Sequence, residues 1–388
     1  MLLYVHIPFC VAKCRYCAFA SEVMSSDALD AWEKAFMLEA AHYGERLGKP
    51  AVETLYLGGG TPSLLPPHVF ERLIRILKYH FNIPPEIEFT LEANPDSVAG
   101  METPRLWRAA GVNRVSLGVQ SCCDAELSML GRPHNAGQAA NAAALLRVAG
   151  FDNLSIDLIW GLPGQSFASW MDTLTTTVAL NPRHISMYGL TLEEGTPLAA
   201  SVGEGGLTLP EEDEAAQMYV EGGDFLAAQG YQHYEISNFA RPGFASRHNQ
   251  GYWDGKDYLG LGPSAVSTIA GKRWQNPATV AGYAALAGRG AWGADAEELT
   301  SQILDRERLM LALRTGKGVN LADYRRIMGQ DLRDAHEPLL RALNEKGFIR
   351  MTEESLRLTR QGMLVSNGII GRLVFSGEQG DFLNQFVN

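Results

Sequence analysis

Residues 2–20 read Leu2-Leu-Tyr4-Val-His6-Ile-Pro-Phe-Cys10-Val-Ala-Lys-Cys14-Arg-Tyr16-Cys17-Ala-Phe19-Ala. A β-branched, apolar run ending at His6-Ile7 predicts a strand, and the cysteines fall in the loop that leaves it. Three thiolates at Cys10, Cys14 and Cys17 can hold an iron–sulfur cluster by three of its four irons and leave the fourth iron open. A structural zinc ion needs a fourth Cys or His to close its tetrahedron. The residues that follow Cys17 in the loop are Ala18, Phe19 and Ala20, and His6 precedes the loop within the strand. The cluster reading therefore stands ahead of zinc, with merely buried cysteines last.

Working outward, the chain alternates strand and helix patterns as far as about residue 190. Strands are predicted at Leu2–Ile7, Glu53–Leu57, Ile87–Glu92, Arg114–Val119, Leu154–Ile159 and Ile185–Leu190. Amphipathic helices are predicted between them at Ala28–Tyr43, His68–Tyr79, Arg105–Ala110, Gln138–Val148 and Ser169–Leu180. Six such units make a parallel sheet, closed or half-closed into a barrel. Ligands of such folds gather at the C-terminal ends of the strands. Those ends carry His6, Gly58-Gly59-Gly60-Thr61, Glu92, Gln120 and Asp157. Glycines let the backbone come close to a ligand, although an isolated triple glycine is more often a tight turn. Arg132 alone reads as a surface charge. Asp157 sits inside the apolar run 154–160, so it needs buried partners, which Arg132 or a ligand amine would supply.

Beyond residue 190 the pattern loosens. A helix is predicted near Glu211–Ala228, followed by an aromatic-rich stretch that contains Arg247-His248-Asn249-Gln250-Gly251-Tyr252-Trp253. An imidazole is a good axial ligand for haem iron, and Tyr and Trp faces can cover a porphyrin. From the residues alone, a capped turn with a buried His and two core aromatics is the stronger reading. Helices return from about residue 300, with a hairpin at Phe348–Leu358, so the C-terminal part is expected to be mostly helical and winged-helix-like.

The bulk numbers bound the class. With 388 residues there is room for one large domain and a smaller one. The chain is 46% hydrophobic and 20% charged, as expected of a globular protein. No apolar run reaches the ~20 residues of a membrane helix. A net charge of −11 and the lack of a basic recognition helix argue against nucleic acid as a partner. Five cysteines, three of them in one loop, and no leader-like start lead to the expectation of a cytoplasmic protein.

The CxxxCxxC spacing, with the aromatic Tyr16 before the third Cys, resembles radical S-adenosylmethionine (SAM) proteins. YVHIPFC (4–10), GGGTPS (58–63), TLEANP (90–95), RVSLGVQS (114–121), LGRPHN (130–135), DLIWGLPGQ (157–165), YEISNFARPG (234–243) and RHNQGYW (247–253) narrow the resemblance. Together they are similar to the HemW branch of the HemN-like, coproporphyrinogen-dehydrogenase-like family. The resemblance implies an α/β fold: a partial (β/α)6 barrel with a C-terminal HemN-type helical domain. Its expected boundaries are 1–235 for the radical SAM core, 236–300 for a connecting segment with the HNxxYW motif, and 301–388 for the C-terminal domain.

The resemblance also implies cofactors and roles. Cys10, Cys14 and Cys17 would bind a 4Fe–4S cluster, and Tyr4, Gly59 and Glu92 would contact the SAM bound to it. Tyr16, Gly60, Thr61, Gln120, Arg132 and Asp157 match positions that contact a second SAM in HemN enzymes. His248, Tyr252 and Trp253 would bind haem, with His248 on the iron. The implied function is a haem chaperone that passes haem to an acceptor protein, served by an electron donor such as flavodoxin or ferredoxin. Contact with a membrane acceptor would be peripheral. Two departures from HemN argue against decarboxylation of coproporphyrinogen III: Phe19 stands where HemN has a further Cys, and the cluster motif begins at Tyr4 without HemN's N-terminal extension. The alternatives are that dehydrogenase and a radical SAM methyltransferase acting on haem.

Overall fold

The computed structural model describes residues 1–375. Seven parallel strands form its centre: β1 (Leu2–Ile7), β2 (Thr54–Gly59), β3 (Glu88–Ala93), β4 (Arg114–Gln120), β5 (Asn153–Trp160), β6 (His184–Gly189) and β7 (Tyr258–Leu261). Their order is β7-β1-β2-β3-β4-β5-β6. The antiparallel strands Val266–Ile269, Lys272–Gln275 and Glu297–Glu298 continue the sheet beyond β7. Asn238–Ala240 and Gln232–Glu235 continue it beyond β6. The sheet is thus an open, partial barrel of 12 strands. All six strands expected from the sequence are present. β7, which pairs in parallel with β1, was not expected. Residues 236–300 therefore add strands to both flanks of the central sheet.

Parallel strands covered on both faces usually read as continuous apolar runs. Here they alternate instead. Leu3, Val5 and Ile7 of β1, Leu55 and Leu57 of β2, Phe89 and Leu91 of β3, and Val115 and Leu117 of β4 are all buried. They point one way, into a core with Trp32, Phe36, Phe70, Leu73 and Trp107 from the surrounding helices. The other face carries Tyr4, His6, Thr54, Tyr56, Glu88, Thr90, Glu92, Arg114, Ser116, Ser155, Asp157, His184 and Ser186. Because side chains alternate with period two, the polar set lines the inside of the barrel. Hydroxyl, carboxylate and imidazole pairs across it satisfy groups that would be costly to bury alone.

The helices start where the sequence supplies caps. Ser25 accepts from the backbone N–H of Ala28 to begin Ser26–Arg46. Asn135 and Gln138 close a capping box at the start of Ala136–Val148. The C-terminal part packs helices Ser301–Leu313, Leu321–Met328 and Leu332–Glu345 with the hairpin Ile349–Met351/Ser355–Leu358. It docks on the barrel through the Tyr219 hydroxyl, 3.8 Å from Met363 Sδ, and through Arg360 against Asp224.

The short helix Arg247–Trp253 closes the barrel from below. Glu88, near the N-terminal end of β3, accepts hydrogen bonds from the backbone N–H groups of Arg247 and His248, both at 2.9 Å. Ser246 caps the same helix by accepting from Asn249 N. Gly251 lies directly on Leu2: a Cβ there would stand 2.7 Å from the Leu2 methyls. Leu2, Thr54 and Glu88 are neighbours in strand register, so the helix lies across the N-terminal ends of β1–β3.

Candidate functional site

Between the helix Arg247–Trp253 and the strand exits, the barrel and the loop after β1 build a chamber of about 380 Å³. Tyr4, His6, Gly59 and Glu92 line it from the barrel, Phe19 and Ala20 from the cysteine loop, and Tyr252, Tyr258 and Ser264–Val266 from the far side. Three of these had been expected to lie together: Tyr4, Gly59 and Glu92.

Each is fixed by neighbours. The His6 ring stands between the Tyr4 hydroxyl, 3.0 Å from Nδ1, and the Ala20 carbonyl, 2.8 Å from Nε2. A carbonyl only accepts, so Nε2 carries the proton and Nδ1 accepts from Tyr4. Gly59 has φ +111° and lies flat against that ring. Its N–H donates to Glu92 Oε2 at 3.1 Å, while the Tyr56 hydroxyl donates to Oε1 at 2.7 Å. Burial first, and then the nearby Asp157, push Glu92 up to about 7, against the pull of these two donors. Burial also holds the His6 imidazole below its usual pKa. The chamber thus presents a carboxyl poised near neutrality and a neutral imidazole.

Cys10, Cys14 and Cys17 are free, half-buried thiols on the loop beside the chamber. Thr61 Oγ1 donates to Cys10 Sγ at 3.6 Å and Arg132 Nη1 to Cys14 Sγ at 3.4 Å. A hydroxyl and a guanidinium aimed at sulfur suit thiolates that carry negative charge. Among the described residues no three His, Cys, Asp or Glu side chains converge on one point as a single metal ion requires. Both nitrogens of His6 are engaged, so it does not complete a zinc site. In a cluster each thiolate meets its own iron.

The remaining expected residues divide. Arg132 Nη2 bonds Asn94 Oδ1 at 2.8 Å and the Gly118 carbonyl at 2.9 Å. Asn94 Nδ2 in turn donates to Thr61 at 3.2 Å. Gln120, with φ +70° at a strand irregularity, reaches the same spot: a Cβ on Gly118 would lie 3.0 Å from its Nε2. Tyr16 packs near Arg132, which offsets part of the rise that burial imposes on its phenol. Gly60 is pressed on the Phe9 carbonyl, 2.6 Å from where its Cβ would be. Asp157 stands apart. Its partners are the hydroxyls of Ser186, of Ser116, at 2.9 and 3.1 Å, and of Ser155, at 3.3 Å, and not Arg132, which is taken up by the cysteine loop, Asn94 and the Gly118 carbonyl.

His248 does not stand ready as a ligand in this conformation. It is 1% exposed, with Nδ1 2.8 Å from Thr54 Oγ1 and Nε2 3.2 Å from the Tyr252 hydroxyl. Burial drives its pKa down to about 3. The ring is a satisfied part of the barrel floor, with Tyr56 beside it at 5.0 Å. Tyr252 is the unexpected member, because it belongs to the chamber wall. Trp253 and Asn249 are half-buried. Sequence reasoning also missed Tyr56, Asn94 and Ser264–Val266. For the last, the signal was Gly262-Pro263 directly after the short strand Tyr258–Leu261, a second glycine turn at a strand exit.

The radical SAM superfamily model matches residues 4–176, and the HemN C-terminal domain model matches 300–365. The heme chaperone HemW of Bacillus subtilis is 35% identical over 380 residues, which is 97% of this chain and 99% of that one. This chain belongs to the HemW family of radical SAM proteins. The heme chaperone HemW of Mycobacterium tuberculosis is 36% identical over 96% of this chain and 94% of its own. A mouse relative, radical S-adenosyl methionine domain-containing protein 1, mitochondrial, is 34% identical over 95% of this chain and 86% of its own. Among solved structures, coproporphyrinogen III oxidase (HemN) of Escherichia coli superposes with a TM-score of 0.82 at 25% identity, covering 96% of this chain and 89% of that one. The fold class and the family read from the sequence are therefore established, and with the family come a 4Fe–4S cluster and SAM as cofactors. No helix among the described residues is long and apolar enough to cross a membrane.

Proposed function

We propose that this chain is a haem chaperone that binds haem and passes it to an acceptor protein, with a SAM-binding 4Fe–4S cluster in its barrel. The observation that carries this reading is the match to HemW proteins over almost the whole of both chains. Cys10, Cys14 and Cys17 hold the cluster. Tyr4, Gly59 and Glu92 hold SAM against it, Gly59 by close backbone approach and Glu92 by charge. The cluster, when reduced and loaded with SAM, supplies one-electron chemistry beside the chamber. Arg132 and Thr61 steady the thiolates. Tyr16, Gly60, Gln120 and Asp157 mark the place of a second SAM-sized ligand, with Asp157 deeper in the barrel than the rest.

His248 is the iron ligand for haem, and Tyr252 or Trp253 packs near the macrocycle. Since the ring is enclosed here, ligation requires the helix Arg247–Trp253 to leave the barrel floor. The reading places the protein in the cytoplasm, as a core at 1–235, a segment at 236–300 and a C-terminal domain at 301–388. A flavodoxin or ferredoxin serves as donor, and any membrane acceptor is met peripherally.

The experiment is a haemin titration of the anaerobically reconstituted protein, followed by absorbance, with His248→Ala in parallel. A stoichiometric Soret band that changes in the variant supports the assignment. An unchanged band and affinity in a folded His248→Ala protein removes His248 as the ligand. Failure of wild-type protein to bind haemin removes the chaperone reading.

A further inference from the structure

Two of the rings around His248 connect it to the chamber. Tyr252 lines the chamber and also holds His248 Nε2 through its hydroxyl at 3.2 Å. Tyr56 packs on the His248 ring at 5.0 Å and donates to Glu92 Oε1 at 2.7 Å. His248 and Tyr252 lie four residues apart on one seven-residue helix, so they share one face of it. With Leu2 pressed against Gly251 and Glu88 holding the first turn, the helix has little room to move one of these rings without the other.

We propose that occupancy of the chamber by SAM and release of His248 to haem oppose one another, with Tyr252 as the link. This rests on the reading of His248 as the haem ligand given above. A ligand filling the chamber packs on Tyr252 where it now stands, and in that position the hydroxyl of Tyr252 covers Nε2. Withdrawal of His248 toward a haem iron carries Tyr252 with it and opens the chamber wall, which weakens the site for SAM. Neither ligand needs to touch the other. The helix as it stands is the arrangement that SAM favours, and the arrangement with His248 withdrawn is the one that haem favours.

The sign and the reciprocity are both measurable. Coupling between sites commonly amounts to about 5- to 150-fold in affinity, and each ligand must change the other's affinity by the same factor. In the cluster-loaded full chain, saturating SAM is expected to weaken haemin binding at least ~5-fold by absorbance titration. Saturating haemin is expected to weaken SAM binding by an equal factor in calorimetry. Tyr252→Phe keeps the ring in the wall and removes the bond to His248. It is expected to bind haemin more tightly without SAM and to lose most of the coupling. A His248-dependent haem spectrum with the same haemin affinity in the presence and absence of SAM overturns this inference alone. Full wild-type coupling in Tyr252→Phe overturns it as well. A spectrum indifferent to His248→Ala removes the ligand assignment and this inference with it.

Discussion

Gly59→Ala tests how the chamber is held. The backbone there has φ +111°, and an added Cβ would stand 2.7 Å from His6 Cε1 and 2.8 Å from Nδ1. Holding an L-residue at that φ costs roughly 1–3 kcal/mol. The His6 ring cannot retreat freely, because Tyr4 and the Ala20 carbonyl hold its two nitrogens. Pushing it aside gives up two hydrogen bonds at about 1 kcal/mol each. The sum is roughly 3–5 kcal/mol, shared between stability and the shape of the chamber. Denaturant unfolding reads the first share, and calorimetry of SAM on cluster-loaded protein reads the second. Every ~1.4 kcal/mol that reaches the chamber weakens SAM tenfold. Gly100→Ala is the control, since its Cβ would meet nothing within 4 Å. His6→Ala in the Gly59→Ala background should recover the steric part but not the backbone part, as a double-mutant cycle shows. If Gly59→Ala leaves both stability and SAM affinity within about 0.5 kcal/mol of wild type, where ordinary surface substitutions fall, the account of this site is wrong.

Other outcomes follow from the same geometry. Replacing Cys10, Cys14 or Cys17 by Ala should prevent reconstitution of an oxygen-sensitive cluster, read as iron content and visible absorbance. A triple variant that still holds four irons would refute the assignment. With Glu92 raised to about 7, its carboxylate is lost as pH falls through neutrality. SAM carries a positive sulfonium, so its affinity should rise between pH 6 and 8 and then level off, and Glu92→Gln should flatten that profile. Anaerobic incubation with coproporphyrinogen III, SAM and reductant should yield no protoporphyrinogen IX. Phe19, 67% exposed at the chamber mouth, takes the place of the further Cys that the resemblance implies for HemN. Stoichiometric product would move the chain to the dehydrogenase class.

The barrel was legible because its signals are local. Each of the six expected strands is an apolar alternation of five or six residues with a turn behind it, and the structure moves their ends by only a residue or two. β7 escaped because it is four residues long and lies among glycines, and its partner β1 is more than 250 residues away. The helix Asp124–Leu130 was missed for a similar reason, being seven residues long. The spacing of Cys10, Cys14 and Cys17 pointed to a cluster loop, and the downstream motifs narrowed it to the radical SAM family. The placement of His248 was not legible, since Thr54 and Glu88 enclose it from 194 and 160 positions away. A motif fixes which residues act, while the barrel decides which way they face. Tyr252 shows this best: its sequence neighbours led to the expectation of a haem contact, and the fold sets it in the wall of the chamber at the strand exits.

The position of β1 bears on how the protein is made. It precedes the other strands of the sheet in the chain and so leaves the ribosome before them, yet it lies in the middle of the sheet, between β2 and β7. β2 follows quickly, but β7 ends at Leu261. At translation rates of about 5–20 residues per second, one edge of β1 waits some tens of seconds for its second neighbour. Through that interval the three cysteines that follow β1 hang from a half-built sheet, with the floor helix and the far wall still unsynthesised. The nascent chain therefore exposes its thiols to cluster-loading machinery, and to oxygen, before the barrel can shelter them. Slowed synthesis under air should lower cluster content more than it lowers the yield of folded protein.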